Sequence, residues 1–201
     1  MAVVRTLALC MLLGGGSCQR APQEQVLFNG QDLDGWRTYG TEHWYVEDGE
    51  LVGESGPDAD YGYLATEATF RDFDLKLEFL QEYDGNSGVF FRSSLDGTLI
   101  TGWQAEIAPP GHSTGGIYES YGRGWLVEPP AGADSTLETG VWNKLRVRAV
   151  GAVVTTWLNG GLMVQIEDEA IGNANGVIAL QLHDGGGVKV RWRHILLTEI
   201  E

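Results

Sequence analysis

Five polar side chains capable of acid, base or sugar chemistry fall at alternating positions in three short segments. In Gly102-Trp-Gln-Ala-Glu-Ile107, a strand would turn Trp103, Ala105 and Ile107 one way and Gln104 and Glu106 the other. Val177-Ile-Ala-Leu-Gln-Leu-His183 repeats the pattern, with Ile178, Leu180 and Leu182 opposite Gln181 and His183. A third segment, Gly88-Val-Phe-Phe-Arg92, sets Arg92 opposite Val89 and Phe91. If the three strands share one sheet, a carboxylate, an imidazole, a guanidinium and two amides line one face. That set suits a sugar or another polyhydroxylated ligand.

The rest of the chain reads as elements able to hold such a face. Phe73-Asp-Leu-Lys-Leu-Glu-Phe79 alternates cleanly. Residues 143–149 and 153–158 flank a turn at Gly151 as a hairpin, and Asn159-Gly160 supplies the next tight turn. Asp184-Gly-Gly-Gly187 precedes a closing strand over 188–200. Residues 108–139, rich in Gly and Pro, read as one long irregular loop of the kind that carries function. Many short strands, glycine turns and almost no helical periodicity predict an all-β sandwich.

Composition narrows the partners. The chain has 201 residues, 43% of them apolar and 20% charged, which suits one ordinary globular domain. Its net charge of −15 argues against nucleic acid and against anionic lipid surfaces, both of which demand a surplus of Lys and Arg. Residues 1–18 read as a secretory signal: Arg5, an apolar run from Leu7 to Leu13, then Gly14-Gly-Gly-Ser-Cys18. The small residues before Cys18 match a lipoprotein signal, so a lipid on Cys18 is the expected membrane link. The expected location is beyond the bacterial inner membrane, periplasmic or anchored in the envelope. Residues 19–25 form a polar tether and 26–201 the folded domain. Cys10 departs with the signal, leaving neither disulfide nor cysteine nucleophile.

Read in order, Leu27-Phe-Asn-Gly30, Leu33-Asp-Gly-Trp36, Trp44-Tyr-Val-Glu-Asp-Gly49, Gly85-Asn-Ser-Gly88 with Arg92, and Gly102 to Ile107 form a recognisable series. Thr114-Gly-Gly-Ile-Tyr-Glu119, Gly122-Arg-Gly-Trp125, Val141-Trp-Asn143, Trp157-Leu-Asn-Gly160 and Ile178 to His183 continue it. The series resembles the 3-keto-disaccharide hydrolase family across nearly the whole mature chain. The resemblance implies a concanavalin-A-like jelly-roll β-sandwich of two antiparallel sheets. Two positions depart from the family pattern. Gln104-Ala-Glu106 stands where many members read Glu-x-Gln, and Ala108-Pro109 where many carry an Asp.

The family implies cleavage of glycosides already oxidised to a ketone at carbon 3. The ketone acidifies the hydrogen on carbon 2, so a base can remove it, the enediolate expels the glycosidic oxygen, and water adds to the product. The catalytic set is then His183, Glu106 and Arg92. An unperturbed imidazole titrates near ~6.5 and suits a base. Glu106 takes that role if burial raises its pKa, and Arg92 would stabilise the enediolate. Gln104 and Gln181 would read sugar hydroxyls, Tyr118 and Trp125 would stack on a ring, and Glu78, Glu119 and Arg123 complete the substrate-binding set. Glu106, His183 and Glu78 also offer ligands for a divalent metal that would polarise the ketone. A separate sugar oxidoreductase would supply the ketone, since this chain has no dinucleotide fingerprint. Two other readings stay open: a non-catalytic lectin-like module, and a two-carboxylate glycosidase using Glu78 and Glu106.

Overall fold

The computed structural model describes residues 23–83 and 85–201, so the signal and Cys18 lie outside the described residues. In chain order the first strands are β1 (Glu24–Val26), β2 (Trp36–Tyr39), β3 (His43–Glu47), β4 (Glu50–Glu54) and β5 (Gly62–Thr66). The long central ones are β6 (Phe73–Gln81), β7 (Ser87–Asp96) and β8 (Leu99–Ile107). After the short β9 (Ile117–Ser120) and β10 (Gly124–Val127) come β11 (Asn143–Val150), β12 (Val153–Leu158) and β13 (Gly161–Glu167). A single helical turn, α1 (Glu169–Gly172), precedes β14 (Val177–Leu182) and β15 (Lys189–Glu199). The first described strand, β1, starts at Glu24 and pairs with β15.

The strands form two antiparallel sheets. One runs β13-β12-β11-β6-β15-β4-β3, with β1 beside β15; the other runs β10-β9-β8-β7-β14-β5-β2. Their inner faces make one core. Leu75, Leu77, Phe79, Val147 and Trp192 come from the first sheet, and Val89, Phe91, Ala105, Ile107, Ile178, Leu180 and Leu182 from the second. This is the jelly-roll-type sandwich expected, and the period-2 pattern is its cause. The expected loop over 108–139 is a correction: it contains β9 and β10, which extend the second sheet. Four-residue strands bounded by glycines leave too little alternation to register in the sequence.

Two bulges decide which side chains face where. At Arg193-His194 the β15–β6 register shifts and His194 takes φ +50°. The extra residue returns Ile195 and Leu197 to the core on which Val190 and Trp192 already lie. At Arg92-Ser93 the β7–β8 register shifts in the same way, with φ +47° at Arg92.

Candidate active site

The outer face of the β10-to-β2 sheet carries a cavity of about 460 Å³ lined by Tyr61, Tyr63, Asn86, Phe90, Gln104, Glu106, Tyr118, Ser120, Tyr121, Trp125, Gln181 and His183. Alternation places most of them. Gln104 and Glu106 project outward from β8 because Ala105 and Ile107 point inward, and Gln181 does so from β14. Phe90 from β7 packs edge-on against Tyr63 from β5, ring centroids 5.7 Å apart, as one side of the cavity. Gly88 faces the same way, and any Cβ there would lie 2.3 Å from Gln104 Nε2, so glycine makes room for that amide.

Glu106 is the buried acid of this cavity, with 5% of its surface exposed. Asn86 Nδ2 donates to its Oε1 at 2.6 Å and Gln104 Nε2 to its Oε2 at 2.7 Å. Gln104 Nε2 also lies 3.2 Å from Gln181 Oε1, which joins the two predicted amides in one network. Burial pushes the Glu106 carboxyl up to about 7, the Asn86 hydrogen bond opposing it only in part. Asn86 Oδ1 is buried with no hydrogen-bond partner among the described residues.

At another part of the lining, His183 Nδ1 lies 2.6 Å from Asp184 Oδ1, and Nε2 lies 3.1 Å from the Tyr61 hydroxyl. The Tyr61 and His183 rings are 4.7 Å apart between centroids. Burial, then the nearby Asp184 charge, raises the Tyr61 phenol. A third part is aromatic. Trp125 pairs with Tyr118 in register, their rings meeting edge to face at 5.4 Å, while Tyr121 at the β9–β10 turn is 74% exposed. Together the lining offers a near-neutral carboxylate, a hydroxyl–imidazole–carboxylate chain, two amides and an aromatic wall.

Other predicted residues stand elsewhere. Arg92 lies outside this cavity: its left-handed φ breaks the alternation, and its side chain is fully buried. It donates to the carbonyls of Arg71, Gly151 and Ile171 and to Asp72 Oδ1, a structural clamp across the sandwich. Glu78 lies on the outer face of the other sheet, 2.7 Å from Arg193 and beside His194. Burial alone would raise its carboxyl, but the Arg193 and His194 contacts together hold it low. Glu119 points away from its neighbours Tyr118 and Ser120, and bonds Arg123, which also bridges to Asp168 at 2.7 Å. Arg123 therefore fastens the β9–β10 hairpin to the cap of α1.

These placements remove two expectations. Sheets in a sandwich pack about 10 Å apart, so carboxylates on their two outer faces cannot meet the 5–9.5 Å separation, roughly, of a glycosidase pair. The three metal candidates are likewise divided. Both Glu106 oxygens accept amide hydrogens, Glu78 is on the far sheet, and among the described residues no three His, Cys, Asp or Glu side chains converge for a metal. The donor set does not fit that role. Conversely, Tyr61, Tyr63, Asn86, Ser120, Tyr121 and Asp184 were not singled out for the site. Tyr61-Gly-Tyr63 did carry a signal, two tyrosines at strand spacing.

A profile for the 3-keto-alpha-glucoside-1,2-lyase-like domain matches residues 23–198. The chain belongs to this family. Within it, a 3-keto-disaccharide hydrolase from Bacteroides thetaiotaomicron is 34% identical over 75 residues, a stretch spanning 33% of this chain and 26% of that protein. Solved structures show the same fold as this 3-keto-glucoside-lyase-like chain. One is a candidate glycosyl hydrolase from Parabacteroides distasonis, at 21% identity and a TM-score of 0.67, covering 89% of this chain and 94% of its own. Another is the carbohydrate-binding module CBM66 of Bacillus subtilis, at 17% identity and a TM-score of 0.65, covering 82% of this chain and 96% of its own.

Proposed function

We propose that the cavity binds a glycoside oxidised at carbon 3 and cleaves its glycosidic bond by elimination, with Glu106 as the base. The observation that carries this reading is a nearly buried carboxyl of pKa about 7 at the floor of a sugar-sized cavity, held by two amides. A carboxylate tuned to neutral pH is matched to abstraction of a proton next to a ketone. The base takes the carbon 2 proton, and the electron pair becomes the enediolate. That pair then forms the carbon 1–carbon 2 double bond as the glycosidic oxygen departs. The Gln104 and Gln181 amides are placed to bond the sugar's hydroxyls, and Asn86 Oδ1 is placed to accept from one of them. The family membership and the partial match to a 3-keto-disaccharide hydrolase support the same chemistry.

A second cavity of about 280 Å³, whose lining includes Arg92 and Glu119, adjoins the first across Ser120 and Tyr121, and gives the leaving portion a place beyond the aromatic wall. Trp125 and Tyr118 stack on the substrate in this reading. Trp125→Ala is expected to raise KM about tenfold, some 1.4 kcal/mol, with kcat within a factor of two, roughly. Steady-state kinetics on wild type and variant checks the split.

The primary test is p-nitrophenol release from a p-nitrophenyl 3-keto-glucoside and from the unoxidised glucoside. Release from the keto substrate alone is the expected result. Binding of both without release would instead make the chain a carbohydrate-binding module.

A further inference from the structure

We infer that Asp184, His183 and Tyr61 form a proton relay in which Tyr61 is the catalytic acid that protonates the departing glycosidic oxygen. The inference rests on the elimination reading and assigns its second half, protonation of the leaving oxygen, to a group separate from Glu106, which keeps the carbon 2 proton for the hydration step.

The geometry sets the direction of the relay. A carboxylate only accepts, so the 2.6 Å contact to Asp184 Oδ1 places a proton on His183 Nδ1, and the Asp184 carbonyl at 3.3 Å reinforces it. Nε2 is thereby the atom that exchanges a proton with the Tyr61 hydroxyl at 3.1 Å. Tyr61 and His183 line the cavity, whereas Asp184 does not, and the order of the contacts makes the phenol the end of the chain farthest from Asp184. The His183 backbone N–H is bonded to the Asn86 carbonyl at 3.3 Å, tying the relay to the residue that also holds Glu106. Neighbouring titratable groups on this side of the lining are Tyr63, Tyr118 and Tyr121, besides Glu106 itself.

The protons balance. With His183 as imidazolium, Nε2–H donates to Tyr61 Oη, which frees the phenol hydrogen for the glycosidic oxygen. As the carbon 1–oxygen bond breaks, that hydrogen passes to the leaving oxygen and the Nε2 hydrogen passes to Tyr61. Neutral imidazole remains, its Nδ1–H on Asp184. When water adds, its oxygen bonds carbon 1, Glu106 returns a proton to carbon 2, and the water's spare proton re-protonates His183 through Tyr61. Tyr61 is the member that hands its proton to substrate; His183 and Asp184 act through it.

An acid of this kind matters in proportion to how poor the leaving group is. The test is kcat/KM for 3-keto-glucosides with leaving groups from p-nitrophenol to methanol, on wild type, Tyr61→Phe, His183→Ala and Asp184→Asn. Deuterium exchange at carbon 2 serves as a separate readout of the base. Tyr61→Phe should lose about 100-fold or more on the methyl glycoside and no more than about threefold on the nitrophenyl one. It should keep carbon 2 exchange, and Tyr61→Phe/His183→Ala should be no worse than either single change. Equal losses across all leaving groups, or an unchanged methyl glycoside rate, overturn the relay while the elimination reading stands. A wild-type protein that neither exchanges nor releases overturns both.

Discussion

Glu106→Gln is expected to remove turnover, on the order of 1,000-fold in kcat/KM, and at the same time to make the protein more stable at alkaline pH. Both effects follow from one burial. The folded-state pKa of about 7 stands above the ordinary 4.5, so folding favours the neutral acid. The stability this contributes is fully present below pH 4.5 and is lost as pH rises through about 7. At roughly 1.4 kcal/mol for each pH unit between those values, the ionised carboxylate costs the wild-type fold about 3 kcal/mol at pH 8. Glutamine keeps the shape without the charge. Its new N–H₂ meets one amide donor, but Asn86 has an unpartnered Oδ1 and satisfies it by turning its amide over. Denaturant unfolding at pH 5 and pH 8 gives the check. The variant should match wild type at pH 5 and exceed it at pH 8. A gap that stays constant with pH would place the carboxyl's ionisation outside the energetics of folding. Wild-type kcat/KM should climb through pH 7 for the same reason.

Arg92→Ala is expected to cost about 3–5 kcal/mol of stability, enough to threaten the fold at 37 °C. The guanidinium has no exposed surface and satisfies three carbonyls and Asp72, whose second oxygen accepts the Gly151 N–H at 3.1 Å. Removing it strands a carboxylate and three acceptors at once. Thermal unfolding of wild type, Arg92→Ala and Arg92→Lys measures the loss. A folded Arg92→Ala with an unchanged Tm and no activity would return this residue to the catalytic set.

These two residues mark how far alternation could be read. Along 102–107 and 177–183 the period of two put Ala105, Ile107, Ile178, Leu180 and Leu182 inside and left Gln104, Glu106 and Gln181 on the outer face, as found. Counting by twos assumes an unbroken strand, and the bulge at Arg92 breaks it. Glu78 failed for another reason. Its strand alternates as cleanly as β8, but periodicity says nothing of which sheet a strand joins, and β6 pairs with β11 and β15. Asn86 and Asp184 sit in connections beside strand ends, where no periodic signal exists. His183, just past β14, is legible because it continues the outward alternation of that strand by one residue.

The β9–β10 hairpin has a standing of its own. It holds the aromatic wall, yet β10 is the last strand of its sheet and pairs with β9 alone. The hairpin is anchored to the body by the β8–β9 ladder and by the Arg123–Asp168 bridge. Ile117 of β9 belongs to the core, but change at the outward-facing Tyr118, Ser120 and Trp125 costs that core little. The acid and base stations sit on inner strands and their connections, where any alteration disturbs neighbours on both sides. Under the proposed function, diversification of such a scaffold would therefore keep its reaction and trade its substrates, because the aromatic wall is an interchangeable cassette at the rim.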